Sequence, residues 1–173
     1  MLLISSTNRP LSKSQQVSQL YLSRFNELQP HLHADFLGFE KLSISSAFQN
    51  MYNQKNEILL NYENLVSQHQ KIIFILPEYN GSFPGILKLW IDALTYGIFA
   101  GKKAALVGLS AGMFGNARGL DHFCEVLNYL QVLVLPYRLH IPFTDKHNFD
   151  KHSTVDGNLI NQIDHQIKTF SLM

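Results

Sequence analysis

Apolar residues along the chain fall into two kinds of run, short continuous ones and longer ones at helical spacing, and the two kinds alternate. Leu2 to Ser5 is short and apolar; after a Ser/Thr/Asn/Arg/Pro segment, Val17, Leu20, Tyr21, Arg24 and Leu28 recur on one helical face. Ala34 to Phe39 reads as a second strand. A polar, Ser-rich connection from Glu40 to Gln54 then leads to a helix carrying Ile58, Leu59, Tyr62, Leu65 and Val66. The run KIIFILP, Lys71 to Pro77, is continuously apolar, as a strand buried on both faces must be, and this implies a parallel sheet covered by helices. Ile86 to Tyr96 returns to helical spacing with Pro84 near its start, and Ala104 to Ser110 is another buried strand. Leu120, Phe123, Leu127 and Leu130 share a helix face, Gln131 to Pro136 reads as the fifth strand, and a long irregular segment precedes a last helix from Asn158 to Phe170. Five strands alternating with helices predict a doubly wound α/β fold, a five-stranded parallel sheet with helices on both faces and right-handed crossovers. No repeat, low-complexity tract or linker divides residues 1–173, so a single domain is expected.

Composition narrows the function classes. A chain of 173 residues with 46% apolar and 16% charged residues is too hydrophobic for disorder, yet holds no apolar run long enough to cross a bilayer. Fourteen Lys and Arg against thirteen Asp and Glu give a formal charge of +1, which supplies neither a basic stripe for nucleic acid nor a field for a charged surface. No nucleic-acid or membrane partner is expected. The start MLLISSTNRP lacks the regions of a signal peptide and the single Cys124 cannot form an internal disulfide, so the expected location is cytoplasmic. Cys124 reads as a small core residue of an amphipathic helix. The eight histidines, with His31 and His33 the closest pair, lack Cys partners and zinc spacing, and no metal site is expected.

In a doubly wound sheet, ligands sit outside the carboxyl ends of the strands at the switch point beside the first strand. The loops that follow the first, third and fourth strands therefore carry the candidate chemistry. The first, S-S-T-N-R-P-L-S-K-S, places hydroxyls and backbone N–H groups at a helix N-terminus, where a phosphate can be held, and Arg9 and Lys13 add full charges. The same hydroxyls also suit a plain helix cap. No G-x-x-x-x-G-K-[ST] and no G-x-G-x-x-G follows the first strand, which removes the specific signals for nucleoside triphosphates and dinucleotides. The second loop, P-E-Y-N-G-S-F-P-G, is rich in turn formers; Asn80-Gly81 permits positive φ and a close backbone approach to a planar heterocycle, or simply a turn. The third, G-L-S-A-G-M-F-G-N-A-R-G, leaves a strand with glycines spaced so that N–H groups can face a developing negative charge.

Taken together, S-T-N-R-P-L-S-K-S at Ser6 to Ser14, P-E-Y-N-G-S at Pro77 to Ser82 and S-A-G-M-F-G-N-A-R at Ser110 to Arg118 resemble the NADPH-dependent FMN reductase family of flavodoxin-like proteins, which includes quinone and azo-dye reductases. The N-F-D tail at Asn148 to Asp150 and Asp156-Gly157 before the last helix are similar too. The resemblance implies that Arg9, Ser12 and Ser14 hold the FMN phosphate while Ser6, Thr7 and Asn8 shape the loop. It places Pro77, Glu78, Tyr79, Asn80 and Gly81 along one edge of the isoalloxazine, and Ser110, Gly112 and Gly115 along the other. Ser5-Ser6 stands where the family often has Gly-Ser, and Glu40 to Gln54 is longer than the usual connection. The implied activity is hydride transfer from NAD(P)H to flavin and on to a flavin, quinone or azo-type acceptor, with ping-pong kinetics and no residue acting as the chemical catalyst. The family commonly forms dimers with flavin sites near the subunit boundary, so a homodimer or homotetramer is expected.

Two other readings stay open on the residues. Gly108-Leu109-Ser110-Ala111-Gly112 matches the G-x-S-x-G nucleophile elbow, with Asp145, Asp150, His152 and His165 as triad candidates, although the loop continues beyond the point where an elbow enters its helix. An electron-transfer flavodoxin would share fold and cofactor, but those proteins are strongly acidic, whereas this chain is near neutral and carries Arg9 and Lys13.

Overall fold

The computed structural model describes residues 1–40, 42, 57–149 and 155–173. Strands β1 (Leu2–Ser5), β2 (Asp35–Gly38), β3 (Lys71–Pro77) and β4 (Lys103–Leu109) are parallel and lie in the order β2-β1-β3-β4. The chain leaves β1 towards β2 and returns to the other side of β1 with β3, so the switch point falls between β1 and β3. Strand alternation sends side chains to opposite faces. Leu2, Ile4, Ile72, Phe74, Ala104 and Leu106 pack with helices α2 (Glu57–Ser67), α3 (Gly85–Ala93) and α4 (Ala117–Tyr129). Leu3, Ile73, Ile75, Ala105, Val107 and Leu109 pack with α1 (Lys13–Leu28) and α5 (Gly157–Leu172) on the other face. The expected layers are therefore present, and Cys124 is buried in the first of these two cores. Among the described residues no helix is long and apolar enough to cross a membrane.

The fifth strand departs from expectation. In place of one strand over Gln131 to Pro136, the sheet edge is made of β5 (Leu133–Val134), which pairs with Lys103–Ala104, and β6 (Leu139–Ile141), which pairs with Val107–Leu109. Leu135 N–H still donates to the Ala104 carbonyl at 2.8 Å, but Pro136 has no N–H to continue the ladder. Gln166 of α5 fills the gap from the side. Its Nε2 donates to the Leu106 carbonyl at 3.1 Å and the Tyr137 carbonyl at 3.2 Å, and its Oε1 accepts from the Tyr21 hydroxyl at 2.8 Å. Gln166 and Tyr21 are fully buried, and burial pushes the Tyr21 phenol well above its usual range. Helix α3 also stops earlier than Tyr96: Leu94 turns extended, and Thr95 N–H donates to the Glu63 side chain at 2.6 Å. The connection from Glu40 to Gln54 lies, except for Glu40 and Leu42, outside the described residues.

The two ends of the sheet differ in kind. At the amino ends of the strands, ammonium groups close on backbone carbonyls: Met1 on His33, Lys71 on Ser171, Lys102 on His69 and Lys103 on Met173. Burial lowers the pKa of Lys71 and Lys102 there. The carboxyl ends carry the loops with the unusual compositions. Because Gln166 supplies the missing ladder contacts, Gln166→Leu should lower unfolding free energy by at least ~1–3 kcal/mol, the cost of one buried unpartnered polar group. Urea denaturation of the two proteins gives the number, and an unchanged midpoint would remove this role.

Candidate functional site

The first loop is pinned at both ends. Ser6 donates through both N–H and Oγ to the Ile75 carbonyl, at 3.2 and 2.9 Å, which ties the loop to β3. Thr7, 1% exposed, pairs its Oγ1 with the Tyr79 hydroxyl at 2.8 Å and accepts the Arg9 N–H at 3.2 Å. Asn8 is half-buried and Arg9 exposed. Leu11 then takes φ of 52° and Ser12 caps α1, accepting from Gln15 N–H and Ser14 Oγ at 3.2 Å each. A hydroxyl has two lone pairs and one proton. Ser12 therefore keeps its O–H as a donor beside the helix N-terminus. Lys13 takes a different part: its ammonium donates to the His147 carbonyl at 3.0 Å and lies 5.7 Å from the Phe149 ring centre, tying the segment after β6 to α1.

The second loop closes on itself. Tyr79 and Ser82 exchange backbone hydrogen bonds at 2.9 and 3.1 Å around Asn80 and Gly81, whose φ angles of 51° and 76° make this a two-residue turn of the primed kind. Glu78 N–H donates to the Leu109 carbonyl at 2.8 Å, so the turn stands on the end of β4.

The third loop folds back over β4. A Cβ at Gly108 would lie 2.3 Å from the Gly115 carbonyl oxygen, and one at Gly115, φ 52°, would lie 2.8 Å from His140 and Ile141. These two glycines let the loop sit directly on the sheet. Asn116, fully buried at φ 63°, donates from Nδ2 to the Leu76 carbonyl at 3.0 Å and so joins the start of α4 to the end of β3. Ser110 N–H donates to the Ile141 carbonyl, Phe143 N–H to that of Gly112 and Thr144 N–H to that of Ser110, at 3.2, 3.1 and 3.0 Å. The segment after β6 is thus stitched to this loop.

Together the loops enclose a cleft of about 440 Å³ at the carboxyl ends of β1, β3 and β4. One wall is Arg9, Pro10, Leu11, Ser12, Lys13 and Ser14; the other is Pro77, Glu78 and Tyr79, then Leu109, Ser110 and Ala111, with Thr144 and Asp145 closing one side. Of the residues expected from sequence, Arg9, Ser12, Ser14, Pro77, Glu78, Tyr79 and Ser110 come together here. Ser6, Thr7 and Gly115 lie in the frame beneath, for the contacts just given. Asn8, Asn80, Gly81 and Gly112 lie outside the lining, Asn80 and Gly81 forming the turn and Gly112 being exposed. Sequence reasoning passed over Leu11, Ala111, Thr144 and Asn116, and named Asp145 only as a triad candidate, not as a wall of this cleft. Thr144 and Asp145 sit in a segment without periodicity, whereas Asn116, an Asn after Gly immediately before a helix, carried a recognisable left-handed signal.

The cleft has a polar, cationic wall and a more apolar one. Arg9, the Ser12 O–H and the N-terminus of α1 suit a phosphate ester. Pro77, Leu109 and Ala111, with the main chain of Glu78 to Tyr79, suit an aromatic heterocycle. The donor set fits FMN. The hydrolase alternative finds no such support: Ser110 Oγ donates to the Gly112 carbonyl at 2.9 Å, and α4 begins only at Ala117. Ser110 is absent from the residues with positive φ, as an elbow's strained serine would not be. His165 stacks edge-on against Tyr137, while Asp150 and His152 lie outside the described residues. Among the described residues no group of three His, Cys, Asp or Glu is placed to hold a metal.

Comparison with known proteins agrees with this geometry. Residues 1–145 match the family described as NADPH-dependent FMN reductase. An NAD(P)H-dependent FMN reductase of Pseudomonas aeruginosa is 42% identical over 64 residues, covering 35% of each chain. A 2-hydroxy-1,4-benzoquinone reductase of a Burkholderia species is 28% identical over 83 residues, 46% of this chain and 45% of that one. The aligned stretches thus cover less than half of either relative. Among solved structures, the apo form of the NADH:FMN oxidoreductase EmoB superposes with a TM-score of 0.77 at 18% identity, covering 99% of this chain and 87% of that one. The flavoenzyme NAD(P)H:acceptor oxidoreductase FerB of Paracoccus denitrificans gives 0.74 at 20%, covering 98% and 92%. These likenesses show the fold, flavodoxin-like in its strand order.

The glycines offer a sharp contrast. Gly108→Ala should destabilise the protein by ~1–3 kcal/mol, because the Gly115 carbonyl must move and the loop with it. Gly112→Ala, with nothing within 4 Å of its Cβ, should stay within ~0.5 kcal/mol of the parent. Thermal and urea unfolding of both variants test the difference, and equal effects would contradict the packing described.

Proposed function

The chain belongs to the NADPH-dependent FMN reductase family, and from that premise we propose that it is an FMN-binding oxidoreductase that takes hydride from NAD(P)H and delivers it to a flavin, quinone or azo-type acceptor. The observation that carries the reading is the cleft itself, with Arg9, Ser12 and the N-terminus of α1 on one wall and Pro77, Leu109 and Ala111 from the loops after β3 and β4 on the other. FMN supplies the hydride chemistry when bound. The chain's own part is to hold the phosphate with Arg9 and Ser12, to fix the ring edge with the rigid turn at Glu78 to Gly81, and to offset negative charge near the ring with main-chain N–H groups. The Ser110 N–H is already engaged by Ile141, so those donors are the ones from Ala111 onward.

The same reading extends to the whole of residues 1–173 as one FMN-binding domain, located in the cytoplasm, where reduced nicotinamide is held. It also includes self-association as a homodimer or homotetramer. Leu11, Met113, Phe114 and Phe143 are exposed on the first and third loops and on the segment after β6, an apolar rim of the sort that subunit contacts cover. Sedimentation velocity reads the assembly directly.

Purified protein should carry FMN or take it up in titration, and should oxidise NAD(P)H in the presence of a quinone. Recovery of FAD, or no binding of either flavin, would overturn the assignment, while FMN binding without NAD(P)H turnover would favour an electron-transfer flavodoxin. Arg9→Ala should weaken FMN binding by ~1.5–3 kcal/mol with the fold retained, the scale of a charge-assisted hydrogen bond. Calorimetric titration of apoprotein checks it, and unchanged affinity would make Arg9 a solvated loop residue. Ser110→Ala removes one hydroxyl and no main-chain donor, so it should retain FMN and a turnover within about tenfold of the parent. A loss of several orders of magnitude, with esterase activity in the parent, would restore the nucleophile reading.

A further inference from the structure

We propose that the phenol oxygen of Tyr79 is a positioning group for the phosphate end of the cleft: through Thr7 it holds the first loop in the shape that accepts a phosphomonoester, and so makes the site select FMN over riboflavin. The proposal rests on the functional reading above but adds to it a role across the site. Tyr79 belongs to the wall expected to meet the flavin ring, yet its hydroxyl is 2.8 Å from Thr7 Oγ1, 72 residues away in the chain and on the phosphate loop.

Three observations give the contact its weight. The loop adopts an unfavourable shape, with the non-glycine Leu11 at φ 52°, so it needs anchors to persist without ligand. Its two ends have them, Ser6 on the Ile75 carbonyl and Ser12 in the cap of α1. Between those ends, Thr7 is the buried residue, and its Oγ1 also accepts the backbone N–H of Arg9, fixing the stretch that carries the guanidinium. Tyr79 in turn stands on a rigid support, the turn closed by Ser82 and seated on the Leu109 carbonyl through Glu78. Between Ser6 and Ser12, among the described residues, the phenol makes the hydrogen bond that ties the loop to another part of the chain, the Arg9 N–H on Thr7 Oγ1 being internal to the loop. Preorganisation of this kind raises affinity by removing an ordering cost at binding.

The test is titration of apoprotein with FMN and with riboflavin, which differ only in the phosphate. Tyr79→Phe deletes the oxygen and keeps the ring. It should weaken FMN by about five- to tenfold, the scale of one neutral hydrogen bond, and leave riboflavin within about twofold. Thr7→Val should weaken FMN at least as much, the double variant should be no weaker than Thr7→Val alone, and Thr7→Ser should restore the parent's preference. Amide exchange at Arg9, whose N–H donates to Thr7 Oγ1, should quicken in the ligand-free Tyr79→Phe protein. Equal losses for both flavins, or independent losses in the double variant, would overturn the proposal while leaving the functional reading intact. A parent that binds neither flavin would overturn both.

Discussion

Strands β3 and β4 stay in register from Lys71 opposite Lys103 to Pro77 opposite Leu109, and one step beyond, the Glu78 N–H closes on the Leu109 carbonyl. Both strands therefore end at one level. The loops that leave them begin side by side, and the cleft floor is fixed before any loop residue is chosen. Asn116 repeats the connection from the other direction by donating to the Leu76 carbonyl near the end of β3. Ser6 does the same from β1 by donating to the Ile75 carbonyl. Three loops far apart in sequence are thus all referred to the last turns of β3, and a shift of that strand would move every wall of the site together.

Much of this was legible in the chain. Lys71 to Pro77 could be delimited as a strand because its apolar run is uninterrupted and ends at a proline. The layer order followed from alternation of strands and helices, and the three cleft loops from their position after β1, β3 and β4. Harder to see was the division of labour within those loops. Ser6, Thr7 and Gly115 have the residue types of ligand contacts, but their hydroxyls or missing Cβ serve contacts with β3, Tyr79 and β6. Such pairings depend on which strands lie next to each other, and a linear pattern does not carry that.

The edge of the sheet failed for a related reason. Gln131 to Pro136 has strand composition, yet Pro136 interrupts the ladder and the sheet resumes only at Leu139. What permits the interruption is Gln166, a buried polar residue on a helix that pattern reading assigns simply to an amphipathic face. The resumed strand matters to the site: Ile141 receives the Ser110 N–H, and the following turn brings Thr144 and Asp145 to the cleft. An error of a few residues in one edge strand hid how Thr144 and Asp145 reach the pocket.

The central claim is that FMN lies at the carboxyl ends of β1, β3 and β4 with its phosphate on the N-terminus of α1. Backbone amide shifts of the ligand-free protein, followed as FMN is added, test it most directly. The account predicts the largest changes at Arg9 to Ser14, at Glu78 and Tyr79 and at Ser110 and Ala111, with Lys71 and Lys103 at the opposite end of the sheet unmoved. Changes concentrated at that opposite end, or saturating FMN without changes at Arg9 to Ser14, would contradict it.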